Sequence, residues 1–404
     1  MTTIFVVAAL FTLLAFKKPA WAMAALLFLL PVYQIRFSVF GWPTTLLEIL
    51  IAAFLAGLVA NFPDYKKLKH LGRINWAIGL LVLAAGIATL ISPEPMKALG
   101  QLKAFFIEPV LLFYAAVILF ADRDNLKNSL RALFISSSLI SLFGLIQYWT
   151  YLGLPIRFWG TGVEPERITS VFEYPNALAL FLAPLFGLFL TLIYKKYQLF
   201  KQEWLEILGL LMMAGAIILT FSRGAWLALV IVCSVFFFKH YKARIVLTGL
   251  IVLALAALII TPVRLRILSG TTDSSSGAHL ELMQIGTNQV LHEPFLGNGL
   301  YGFRTTLQQA NFKGERLNYP HNIFLNFWLE LGMLGILALG LIVFAVSEQQ
   351  KKQASVEALA ASVFLLVVIL HGLVDVPYFK NDLSILFWFA ISLFYLKPQA
   401  TDPT

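Results

Sequence analysis

Apolar runs close to membrane-crossing length recur from one end of this chain to the other, broken by short loops in which lysine and arginine gather. Thirteen such runs can be marked, at residues 3–16, 20–32, 44–60, 74–91, 105–120, 130–149, 176–194, 204–221, 225–238, 245–260, 323–346, 356–374 and 383–396. A helix crossing a bilayer needs about 20 predominantly apolar residues. With 59% of 404 residues hydrophobic and 13% charged, no soluble domain of any size remains. The expected fold is an all-α polytopic membrane protein of 12 or 13 transmembrane helices, a single transmembrane domain over residues 1–404. The first two runs are short for a full crossing, which is what leaves the count between 12 and 13. Residues 1–16 lack a basic start and a small-residue cleavage pattern, so they read as a retained first span and not as a signal peptide.

The loops give the chain its sidedness. Lys17 and Lys18, then Lys66, Lys67, Lys69 and Arg73, Arg123, Lys127 and Arg131, Lys195, Lys196 and Lys201, Lys239, Lys242 and Arg244, Lys351 and Lys352, and Lys397 fall on alternate sides of successive runs. By the positive-inside rule these loops, and with them the C-terminus, face the cytoplasm. The opposite side then receives the two largest polar segments, 151–175 and 261–320, and the short links near Arg223 and Asp375. Segment 261–320, the large extracytoplasmic loop, is too long for a structureless connection and too short for a well-cored domain. It is expected to form short helices on the membrane surface. Leu280, Met283, Val290 and Leu291 stand at helix-like spacings within 277–293, and 303–312 mixes apolar and polar residues similarly. Residues 269–277 read as a small, polar, mobile stretch. The net charge of +9 is accounted for by basic loops against anionic lipid head groups and calls for no nucleic-acid partner.

Three groups of residues on the outer side carry possible chemistry. His321 follows Pro320 and opens an apolar helix at the membrane boundary. A neutral imidazole there can accept a proton from a sugar hydroxyl, and it can equally be a cap or a satisfied polar contact. Ser222-Arg223-Gly224 separates two apolar runs with almost no loop between them. A membrane-edge arginine is costly unless paired, and its fork of donors suits a pyrophosphate; snorkelling to head groups is the other reading. Arg167-Ile168-Thr169-Ser170 with Tyr174-Pro175-Asn176 offers donors for phosphate or sugar hydroxyls, or simply caps the next helix. Pro294 to Gly299 is a turn whose glycines could also bring backbone close to a phosphate or sugar.

The remaining features narrow the chemistry. Cys233, the only cysteine, lies inside an apolar run, so neither an intramolecular disulfide nor a cysteine zinc site can form. No acidic or histidine pair has metal-ligand spacing, and there is no Gly-rich phosphate loop ending in Lys-Ser/Thr and no GxSxG. ATP hydrolysis and metal catalysis are disfavoured, and no cofactor is expected. Glu48 and Glu108 are embedded charges. Glu108 precedes Pro109, so a kink is expected there, with the carboxylate meeting freed backbone donors or Lys103.

Taken in order, these residues resemble a known family. His321-Asn322, Leu325 and Gly332 are similar to the signature of the bacterial O-antigen ligase and polymerase family. Arg167 to Phe172 with Pro175-Asn176, Ser222-Arg223-Gly224, and Pro294 to Gly299 precede it in the family's order, and His371 to Asp375 adds a weaker match. The resemblance implies a metal-independent glycosyltransferase of the GT-C type with its cavity on the outer face of the bacterial cytoplasmic membrane. The donor it implies is an undecaprenyl-pyrophosphate-linked glycan, and the acceptor a lipid A-core sugar in a ligase or another lipid-linked repeat unit in a polymerase. Carried over by position, His321 is the general base, Arg223 holds and stabilises the pyrophosphate, and Arg167 and Asn322 are substrate-binding. Many members have arginine before the Leu-Glu of the large-loop helix, where this chain has His279, a substrate-binding candidate that can hold phosphate when protonated. Arg264, Arg266 or Arg304 could supply the missing permanent charge. A transporter of an anion or lipid-linked sugar is the reading from another class, since buried charges also mark transporters, although no inverted repeat is visible.

Overall fold

The computed structural model describes residues 2–39, 41–61, 63–160, 165–238, 241–242, 244–249, 251, 259–268, 274–312, 319–353 and 355–396. The expected span at 245–260, the stretch at 269–277 and the C-terminal residues around Lys397 lie wholly or partly outside these. The chain opens with α1 (Thr2–Lys17), α2 (Pro19–Phe28), a hairpin of β1 (Arg36–Val39) and β2 (Trp42–Thr45), α3 (Leu46–Ala60) and α4 (Arg73–Leu90). Then come α5 (Pro95–Gln101), α6 (Glu108–Leu119), α7 (Arg123–Thr150), α8 (Pro175–Tyr194), α9 (Glu203–Leu219) and α10 (Arg223–Phe238). The large loop contributes α11 (Thr261–Leu268), α12 (Ser274–His292) and α13 (Phe303–Gln309), and α14 (Ile323–Lys352), α15 (Val356–His371) and α16 (Asn381–Ser392) complete the described chain. Five helices among the described residues are long and apolar enough to cross a membrane, and six shorter apolar helices accompany them. The protein is a multi-pass membrane protein.

Sequence-distant helices pair across the bundle: α1 with α3, α4 with α14, α8 with α15, α6 with α16, and both α2 and α9 with α7. Small residues permit the closest approaches. A Cβ on Gly57 of α3 would stand 2.7 Å from the Ala15 Cβ of α1, so only glycine lets these two helices meet. Lys103 does not pair with Glu108. Its ammonium lies 2.6 Å from Glu48 Oε2, while the Asn381 amide donates to Glu48 Oε1 at 3.0 Å. The expected kink at Pro109 takes a specific form, a π-helical segment at Leu102–Ile107 joining α5 to α6. Proline cannot donate to the carbonyl four residues back, and that carbonyl, on Phe105, instead accepts the Tyr378 hydroxyl at 2.8 Å.

Two local features depart from what the sequence leads one to expect. The hairpin pairs Arg36 with Thr45 and Val39 with Trp42; its residues are β-branched or aromatic at several positions, and Gly41 turns at φ +83°. It is anchored to the segment before α8, with Arg36 3.2 Å from Glu173 and the Gln34 amide donating to the Val171 carbonyl. In the large loop, helices form where the spacing predicts them, but α12 turns a different face inward. Leu282 and Val290 pack with Phe303, Leu307 and Leu329, while Leu280 and Leu291 remain 69% and 74% exposed.

Candidate functional site

The signature helix α14 is broken, and the break explains its glycine. Gly332 has φ +65° and ψ −161°, a region that essentially only glycine occupies. Two backbone groups are released there and both are satisfied by the turn that follows α12. Met333 N–H donates to the Phe295 carbonyl at 3.0 Å, and the Leu329 carbonyl accepts Asn298 N–H at 2.6 Å. Gly297, at φ +69°, fits because a Cβ would stand 2.9 Å from Gly332 N, and Gly299 packs likewise on Ser92, 2.8 Å from its N. The glycines of the Pro294–Gly299 turn therefore approach the backbones of α14 and α4.

The half of α14 before Gly332 is fixed at its other end as well. Asn322 caps it, accepting Leu325 N–H at 2.9 Å. The Asn322 amide donates to the Leu373 carbonyl at 3.1 Å, and Ile323 N–H donates to the Gly372 carbonyl at 2.7 Å. Asn322 is thus occupied in tying α14 to the segment after α15. This tie brings His321 to Asp375, with Nδ1 3.3 Å from Oδ1 and side chains 15% and 10% exposed. His321 sits at φ +52°, uncommon for a residue with a side chain. Its Nε2 is buried and has no hydrogen-bond partner among the described residues. The His279 ring stacks on it at 3.9 Å and 15°.

Asp375 is buried, which by itself would raise its pKa. The His321 hydrogen bond, the neighbouring charges of His321 and His371, and the Val376 N–H outweigh burial and hold the carboxyl at about 2. The pair is a carboxylate–imidazole dyad in which Asp375 fixes one ring nitrogen and the other faces away.

Arg223 starts α10 directly after the turn at Phe221, whose φ is +50°. Arg167 donates through Nε to the Thr220 carbonyl at 2.9 Å and through its terminal nitrogen to Asn176 Oδ1 at 2.8 Å. Arg266, 7% exposed, donates to the Phe221 carbonyl at 3.3 Å. Three arginines from three segments therefore meet at residues 220–223. This turn shares a wall with the dyad: a Cβ on Gly224 would lie 3.0 Å from the His371 ring and 2.6 Å from Val374. Arg264 lies exposed on α11. Arg304 is placed elsewhere, on Tyr301 at 3.0 Å, with Lys97 4.9 Å above the Tyr301 ring.

Thr169 and Ser170 are structural. Both backbone N–H groups donate to Gln147 Oε1, at 2.9 and 2.8 Å, and Ser170 Oγ donates to the Ile140 carbonyl. Buried Gln147 accounts for them: the two residues tie this segment to α7, and neither caps α8, whose N-cap is Tyr174 without a side-chain cap. Tyr174 points instead toward Lys380, whose ammonium stands 4.8, 5.5 and 5.8 Å from the rings of Tyr174, Tyr33 and Phe172. Sequence reasoning gave no role to Asp375, Gln147 or Lys380. Only Asp375 had a signal, the His371 to Asp375 resemblance. Among the described residues no three His, Cys, Asp or Glu side chains are grouped as metal ligands. No curated protein matches the chain. Residues 208–340, from α9 to a point in α14 beyond Gly332, match the family model described as O-antigen ligase.

Proposed function

With residues 208–340 belonging to the O-antigen ligase family, we propose that this protein transfers a glycan from an undecaprenyl-pyrophosphate carrier to an acceptor hydroxyl on the outer face of the bacterial cytoplasmic membrane. The family covers ligases and polymerases of lipid-linked glycans, and transfer to a lipid A-core or other glycan acceptor is the reading taken here. Twelve or thirteen crossings in a GT-C-like arrangement belong to the same proposal. The observation that carries it is the dyad beside the arginine turn. In the tautomer that donates Nδ1–H to Asp375, His321 keeps a lone pair on Nε2. Nε2 takes the proton of the acceptor hydroxyl as that oxygen bonds to the anomeric carbon. The bond to the carrier breaks, and the electron pair leaves on the pyrophosphate. Arg223 meets that charge at the α10 N-terminus, where helix amides add to the guanidinium. Arg266 and Arg167 hold the turn that presents it, and Arg266 adds the permanent charge that His279 does not. His279 sets the His321 ring plane by stacking.

The test is transfer by the purified protein from a lipid-pyrophosphate-linked glycan to a lipid A-core acceptor and, separately, to a second lipid-linked unit. His321→Ala and Arg223→Ala should each cut the transfer rate by about 10²-fold or more. Full transfer by both variants overturns the assignment. Product only with the second lipid-linked unit makes the protein a polymerase, and solute uptake without glycan movement makes it a transporter.

A further inference from the structure

The turn that repairs the break in α14 also forms one wall of a cleft. The cleft measures about 450 Å³ and lies between the outer end of α4, the C-terminal end of α12 and the helix α13. Its lining sets a particular group of polar side chains beside apolar Ile91, Pro93 and Leu296. Gln289, Glu293, Asn298, Thr305, Thr306 and Gln309 present amides, hydroxyls and one carboxylate, and no lysine or arginine lines it. Such groups exchange hydrogen bonds with neutral hydroxylated ligands in both directions, whereas a phosphate site would be built from cationic groups. Part of the lining is already set: the Gln289 amide donates to Asn298 Oδ1 at 2.8 Å, and the Asn298 amide donates to Thr306 Oγ1 at 2.6 Å.

The cleft is related to the dyad by one rigid element. His279, stacked on His321, and Gln289 lie ten residues apart on α12, which at the helical rise is about 15 Å.

We propose that this cleft binds a neutral oligosaccharide stretch of the glycan, several sugars away from the bond being made; this rests on the glycan-transfer reading above. The amides and hydroxyls take the sugar hydroxyls, and Glu293 accepts from hydroxyl or amide hydrogens of the same chain. Arg304 and Lys97 are engaged with Tyr301 at the cleft edge.

The experiment uses the full chain in lipid nanodiscs with two readouts. The first is binding of the soluble, carrier-free oligosaccharide by saturation-transfer NMR, for the unchanged protein and for Thr305→Trp, which fills the cleft. The second is transfer kinetics for Glu293→Gln/Gln309→Ala with long and single-sugar donors, and with long and single-sugar acceptors. The double variant should raise KM for the long substrate roughly tenfold, the loss of two ordinary hydrogen bonds, with kcat and the single-sugar KM unchanged. The arm that responds, donor or acceptor, identifies which chain occupies the cleft. Equal effects on long and short substrates, no effect on either, or oligosaccharide binding that survives Thr305→Trp each overturn the proposal. Oligosaccharide binding that Thr305→Trp abolishes, in a protein that transfers nothing, supports the cleft and overturns the transferase reading.

Discussion

Asp375 controls His321 through a single contact, so the two residues should respond differently to substitution. Removing the base in His321→Ala should lower the single-turnover transfer rate by about 10²–10⁴-fold. Asp375→Asn keeps the shape but can favour the wrong tautomer, and should cost about 10²-fold with KM little changed. Quench-flow with radiolabelled donor measures both. The depressed Asp375 pKa also sets a stability window. Its unfolded value is about 3.9 and its folded value about 2, so the stabilisation is fully present above the unfolded value. It is lost as pH falls through about 2. In thermal melts, Asp375→Asn should therefore lower Tm at neutral pH, and the difference from the unchanged protein should shrink at the acidic end. A constant difference across that range would mean Asp375 acts through packing alone. His321 and Arg223 were legible as single residues. Asp375 was not assigned a role, because the Gly372 carbonyl that joins it to α14 is a backbone group 49 positions beyond Ile323, with no periodicity to betray it.

At the scale of elements, the break in α14 and the turn that fills it form one unit. Gly332→Ala places a side chain in a region disfavoured by about 1–3 kcal/mol and 2.6 Å from the Leu296 carbonyl carbon. It should lower Tm in detergent and disorder the His321 end together with the turn, visible as faster hydrogen exchange at Asn298 and Met333. Unchanged exchange at both amides would show that the two ends are independent. The sequence pattern predicted a helix here and named its glycine, but not the exchange of hydrogen bonds, since the partner carbonyl and N–H belong to Phe295 and Asn298. The π segment has the same origin. Pro109 predicts a disturbance, and only the tertiary placement of Tyr378 decides that the disturbance is a wider turn in place of a bend. Likewise the apolar residues of α12 predict a helix, while the choice of Leu282 over Leu280 as its buried face depends on where α13 and Leu329 stand.

For the molecule as a whole, apolar run lengths and loop charges carry most of what the sequence reveals, because lipid demands the same backbone solution of every span. Sidedness is directly measurable. With Cys233 replaced by alanine, a cysteine at Gln309 should react with a membrane-impermeant maleimide in intact spheroplasts, and a cysteine at Lys127 only after lysis. The reverse pattern would put the dyad on the wrong face. The break at Gly332 has a mechanical consequence at this scale. A long helix transmits tilt from one leaflet to the other, and tilt follows bilayer thickness. Here the part of α14 after Gly332 ends at a joint, and the part before it is bolted to Leu373 and Gly372 at one end and to the 295–298 turn at the other. Stretching or thinning the bilayer would swing the far rod without carrying His321 along, so the proposed catalytic end is insulated from the membrane in which it is anchored.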